Sequence, residues 1–67
     1  MTTLAEIKTR LETACGYRGV ADLNEEQGFV HLGNDFLDMM PATADVWFND
    51  NCKIQPTDKG VAFSLKG

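Results

Sequence analysis

No lysine or arginine occurs between Arg18 and Lys53. Histidine occurs once, at His31, tryptophan once, at Trp47, and cysteine twice, at Cys15 and Cys52. Each scarcity removes a class of function. A lone histidine on a strand is more often a hydrogen-bonded surface residue than a catalyst, and no neighbouring pattern supplies the base–nucleophile pair that triad chemistry requires. The cysteines lack the close local pairing of structural zinc sites, so neither a C-x-x-C pair nor a Cys/His cluster is present. Asn49, Asn51 and Lys53 fail the calcium-loop pattern at its fifth position, and no glutamate follows at the twelfth. Nothing in the chain has the form of a phosphate loop, a dinucleotide fingerprint or a metalloprotease helix. No catalytic residue, metal ligand or cofactor site is therefore expected, and the chain reads as a non-enzyme.

Long apolar runs are also missing, so no membrane span is expected. The start, Met1-Thr2-Thr3-Leu4-Ala5-Glu6, lacks the basic and apolar regions of a secretory signal. Small secreted domains usually carry several disulfides, so two distant cysteines fit better with reduced, partly buried thiols in the cytoplasm. Spacing alone leaves one disulfide open.

What is present is an ordinary globular composition, 43% hydrophobic and 24% charged, in 67 residues. That length predicts one domain, residues 1–67, with a thin core. At typical values per residue its stability is about 3–10 kcal/mol, which leaves little for a deep pocket. Thr3-Leu4-Ala5-Glu6 has capping-box spacing, Leu4, Ile7, Leu11 and Ala14 or Cys15 recur at helical intervals, and Gly16 suits a helix end. A helix over 3–15 follows. Phe29 to Leu32 has strand composition, with Val20 to Leu23 as partner across Glu25-Glu26-Gln27-Gly28; the rival is a short helix over 21–27. Asn34 or Asp35 is placed to cap a brief helix through Phe36, Leu37, Met39 and Met40, which Pro41 limits. Val46-Trp47-Phe48 is ambiguous between strand and helix, and Asn49-Asp50-Asn51 has turn chemistry. Lys53 to Gln55 and Val61 to Leu65 flank a turn over 56–60, which predicts a C-terminal hairpin.

The resulting fold class is α+β: an N-terminal helix packed on a small antiparallel sheet, with a second short helix. A winged-helix-like arrangement is the alternative, with 53–65 as the wing. It would need two helices between residues 19 and 50, where only one is evident. Helical period and strand alternation together predict that Leu4, Ile7, Leu11, Ile54, Phe63 and Leu65 are buried against one another.

Charge distribution carries the functional expectation. The net charge is −4, and Asp22, Glu25, Glu26, Asp35, Asp38, Asp45 and Asp50 all lie in the stretch without a base. Such a run creates a negative surface field. Its bland interpretation is a solubility surface. Direct nucleic-acid binding is disfavoured, because phosphate contacts need clustered bases.

The functional expectation is an acidic protein-binding module that docks on a basic groove of a nucleic-acid-handling protein. By size and charge it is of the type of small inhibitors and modulators encoded by phages and mobile elements. Glu25, Glu26, Asp35 and Asp38 are the expected centre of the partner-binding face, with Met40 and Trp47 as apolar anchors. The alternative is a small structural or assembly subunit that self-associates through a Met/Trp patch around Phe36, Met39, Met40 and Trp47. The two differ in salt dependence, because only steered docking weakens as salt rises.

Overall fold

The computed structural model describes residues 2–40 and 44–66, with the side chains of all but 44 and 45 among them. Helix α1 spans Leu4–Cys15, and the Thr3 hydroxyl caps it by accepting from the Glu6 N–H at 3.1 Å. Ile7, Leu11 and Cys15, four apart, form its buried stripe. Gly16 ends the helix with φ +80°, and its N–H and that of Tyr17 both reach the Glu12 carbonyl.

Strands β1 (Ala21–Asn24) and β2 (Phe29–Gly33) form an antiparallel hairpin. Its tip is tied by the Asn24 carbonyl, which accepts from the Gly28 N–H at 2.9 Å, and by the Asn24 side chain, which accepts from Gln27. Gly28 has φ +78°, which explains the glycine there. The hairpin reading of this segment therefore holds over the short helix.

A one-turn helix, α2, covers Asn34–Leu37, and a longer one, α3, covers Ala44–Asn51. Strands β3 (Cys52–Pro56) and β4 (Gly60–Leu65) complete an antiparallel sheet of order β1-β2-β4-β3. The small α+β architecture is as expected. Several local expectations are not. Gly33, not Asn34 or Asp35, occupies the cap position of α2, and no side chain caps that helix. It stops at Leu37, because the Met39 and Met40 N–H groups turn back to the Phe36 and Leu37 carbonyls. Pro41 lies outside the described residues. Val46-Trp47-Phe48 is helical, and so is Asn49-Asp50-Asn51, where a turn was expected. There the Asn51 amide donates to the Trp47 carbonyl one turn back, at 2.9 Å, so turn-favouring chemistry satisfies the helix end instead. Two helices do lie between residues 19 and 50, but both hairpins join in one sheet, which is not a wing beside a helical bundle.

Opposed residues of antiparallel strands share a face. The register puts Ala21, Leu23, Val30, Leu32, Cys52, Ile54, Val61, Phe63 and Leu65 on one side of the sheet. The buried core comes from that side alone, with Ile7, Leu11 and Cys15 of α1 and Phe48 of α3. The other side carries Asp22, Asn24, Phe29, His31, Lys53, Gln55, Ala62 and Ser64, none of them buried.

Phe63, Ile7 and Leu11 are buried as predicted, and Leu4 packs on the core while partly exposed. Ile54 and Leu65 correct the prediction: they face the core side, yet remain 40% and 41% exposed. Alternation assigns a face, but burial needs a cover. Helix α1 lies against β1, β2 and β4, so the β3 margin is beyond its reach. At one end of the central strand pair, Gly33 of β2 opposes Gly60 of β4, and a Cβ on Gly60 would overlap the Leu32 carbonyl oxygen. Only glycine permits that approach.

Leu11 is fully buried at the middle of the α1 stripe. Leu11→Ala should cost about 2–5 kcal/mol in a urea titration, a large share of the total. A loss below about 0.5 kcal/mol would mean that α1 does not pack on the sheet.

Candidate docking face

The charged groups sort into two classes. On α1, Lys8 pairs with Glu12 at 2.8 Å and Arg10 with Glu6 at 3.5 Å. These four cancel, so the rest of the chain carries the whole net charge of −4. No other ion pair occurs among the described residues. Asp22, Glu25, Glu26, Asp35, Asp38 and Asp50 are all exposed. The side chain of Asp45 lies outside the described residues.

The four expected central carboxylates do not form one cluster. Glu25 and Glu26 occupy the β1–β2 tip, whereas Asp35 and Asp38 lie on and just after α2, at the opposite end of β2. Five residues of β2 at about 3.3 Å each separate the two pairs by roughly 16 Å. That exceeds the Debye length of about 8 Å at physiological salt, so the two pairs act as separate charges. Sequence proximity hid the separation, because a strand spends its residues on distance.

The two apolar anchors also part. Met40 joins Leu37, Asn49, Ile54, Val61 and Phe63 around an open groove of about 310 Å³ on the helix side of the sheet. Trp47 does not line it. The Arg10 guanidinium sits 4.2 Å from the centre of the Trp47 ring, and Phe48 meets that ring edge-on at 5.1 Å. A cation over an indole face is worth about 0.5–1 kcal/mol at an exposed site, so Trp47 is already engaged within the fold. Met39 is 41% exposed. The α2 end thus carries Asp35 and Asp38 close in sequence to Leu37 and Met40, which line the groove. Sequence reasoning missed Leu37, Ile54 and Val61 as lining residues. The β4 alternation marks the face of Val61, but only the limited reach of α1 leaves the groove open.

His31 lies on the open side of the sheet, with Nε2 2.9 Å from the Thr57 hydroxyl. Among the described residues, no three His, Cys, Asp or Glu side chains gather in a way that would hold a metal ion. No helix among them is long and apolar enough to cross a membrane. Cys15 and Cys52 are free and buried. Burial raises both thiol pKa values, and the Cys15 thiol donates to the Phe36 carbonyl at 3.4 Å.

Glu12 ties the α1–β1 connection together. Its carboxylate accepts from Lys8 Nζ and from the Gly19 N–H. The Lys8 bond is the main cause that lowers its pKa; partial burial opposes the shift and the Gly19 bond adds to it. A second open cleft, of about 320 Å³, runs beside it between Thr9, Thr13, Tyr17 and Arg18.

No protein-family model matches the chain, and no curated protein or solved structure matches it significantly.

Two outcomes follow from these side chains. A carboxyl whose pKa is lowered by folding stabilises the fold above its unfolded pKa, and that contribution fades as pH falls through the folded value. Urea midpoints of the parent protein should therefore drop more steeply below about pH 4.5 than those of Glu12→Gln. Parallel acid limbs would show that Glu12 is energetically idle. For the thiols, iodoacetamide at neutral pH should spare both cysteines in the folded protein and label both in denaturant, since the thiolate is the reactive form. Prompt labelling of the native chain, detected by intact mass, would contradict their burial.

Proposed function

We propose that the protein is a non-enzymatic, acidic protein-binding module that docks through its α2 end on a basic surface of another protein. One observation carries this reading. Asp35 and Asp38 are exposed and without an ion-pair partner among the described residues, and they flank in sequence Leu37, which with Met40 lines an open groove of mixed polar and apolar character. Interfaces need both components. Desolvated apolar contacts supply the anchor, and rim charges steer the encounter. Lysine or arginine of the partner gains charge-assisted hydrogen bonds from the two carboxylates.

In its narrower form, the partner is a nucleic-acid-handling protein with a basic groove. The module then acts as an inhibitor or modulator by holding carboxylates where phosphates would lie, as small phage and mobile-element proteins do by class. The two cysteines, both free, suit the reducing cytoplasm in which such a partner works. Glu25 and Glu26 fall outside the docking centre in this reading and serve solubility.

The test compares two charge reversals against a partner captured from the native host. Asp35→Lys with Asp38→Lys should slow association and flatten its salt dependence, while Glu25→Lys with Glu26→Lys leaves both nearly unchanged. Neither pair should alter folding, because exposed charges contribute little to it. If the α2 pair binds with the parental on-rate and salt slope, the acidic stretch is a solubility surface and this proposal fails.

A further inference from the structure

Strands β1 and β3 lie at the two edges of the sheet, with no further strand paired to either among the described residues, and they differ. Edge β1 carries Asp22 and runs into Glu25 and Glu26, so pairing of like edges there would bring carboxylates together. Edge β3 has no acid from Cys52 to Pro56, and Lys53, Ile54, Gln55 and Pro56 are all exposed.

The hydrogen-bond phase of β3 is set by its turn. Thr57 and Gly60 exchange both backbone bonds, at 2.8 and 3.4 Å. The register then continues without a bulge through Pro56↔Val61, Gln55↔Ala62 and Ile54↔Phe63. Bonded and non-bonded pairs alternate along an antiparallel ladder. Gln55 and Lys53 therefore bond inward to β4, and Ile54 turns both its N–H and its C=O to the free edge. Pro56, which lacks an N–H, falls at an outward position where the β3–β4 ladder needs no donor.

We propose that β3 pairs antiparallel with β3 of a second copy, about a two-fold axis through Ile54, so that two sheets join edge to edge. In that register Ile54 of each copy exchanges both backbone bonds with Ile54 of the other. Cys52 opposes Pro56, and its outward N–H meets the Pro56 carbonyl. Lys53 opposes Gln55, so no like charges face each other. The Ile54 side chains, 40% exposed in one copy, cover each other on the helix side of the sheet. The contact is isologous and closes at two copies. It is short, because Pro56 offers no donor and the turn at Thr57 follows, which places it among weak interfaces. Each copy carries −4, so salt strengthens this association, opposite in sign to docking on a basic partner.

Sedimentation velocity over a wide concentration range tests it. The mass should rise from 7.4 kDa toward twice that value, and rise further with added salt. Total synthesis with an N-methyl group on Ile54 removes only the outward donor, and this protein should stay monomeric with an unchanged circular dichroism spectrum. Under mild oxidation Ile54→Cys should form a covalent dimer, because directly bonded pairs hold their Cα atoms about 5.5 Å apart, a disulfide distance. Lys53→Cys alone should not, since its opposite is Gln55. A mass that stays at one copy at every concentration overturns the proposal. So does a dimer that survives N-methylation, or one that cross-links equally through Lys53→Cys.

Discussion

One apolar face must be covered, and the chain has little to cover it with. Nine hydrophobic side chains are buried, and no polar side chain joins them among the described residues. All three helices are spent on the same side of the sheet. Helix α1 supplies the only continuous stripe and takes the β1, β2 and β4 region, while α3 contributes Phe48, which packs on Phe63 at 5.2 Å. The β3 margin receives what remains. The groove beside Met40, the exposure of Ile54 and Leu65, and the bare far side of the sheet are consequences of this single shortage.

The shortage also shapes the electrostatics. A core without polar groups leaves no carboxylate fully buried among the described side chains. On α1 the charges neutralise one another four residues apart. Elsewhere Asp22 lies on edge strand β1, Glu25 and Glu26 at its tip, Asp35 and Asp38 on and just after α2, and Asp50 in α3. The docking reading and the edge-pairing reading therefore concern different parts of one surface. The first uses the acidic α2 end, the second the acid-free margin of β3, and salt moves them in opposite directions.

Much of the fold was legible because local chemistry and tertiary need agreed. Thr3, Glu6 and Gly16 mark both ends of α1, Gly28 marks the first hairpin, and alternation from Val61 to Leu65 marks β4. Expectations failed where a residue's local preference was overruled or its environment lay elsewhere. Asn49 to Asn51 favour a turn but close a helix. Ile54 has the right phase and no cover. The four carboxylates at 25, 26, 35 and 38 are neighbours in the chain, and an intervening strand makes them remote. Trp47 has the composition of an anchor, yet Arg10, far away in sequence, occupies its face. Contacts of that kind follow from the packing of whole elements and leave no local signal.

The glycine pair at the end of the central strand pair bears on how the two hairpins meet. Each outer pair of strands is a hairpin joined by a short turn, which forms in microseconds by local search. The join between them, β2 to β4, links segments far apart in the chain, and its loop must close before any contact rewards it. Gly33 and Gly60 form the terminal pair of that join, where a Cβ on Gly60 would meet the Leu32 carbonyl oxygen. The pairing with the greatest separation along the chain thus runs down the centre of the finished sheet. A side chain at Gly60 would strike the Leu32 carbonyl and hold the two hairpins apart at that end.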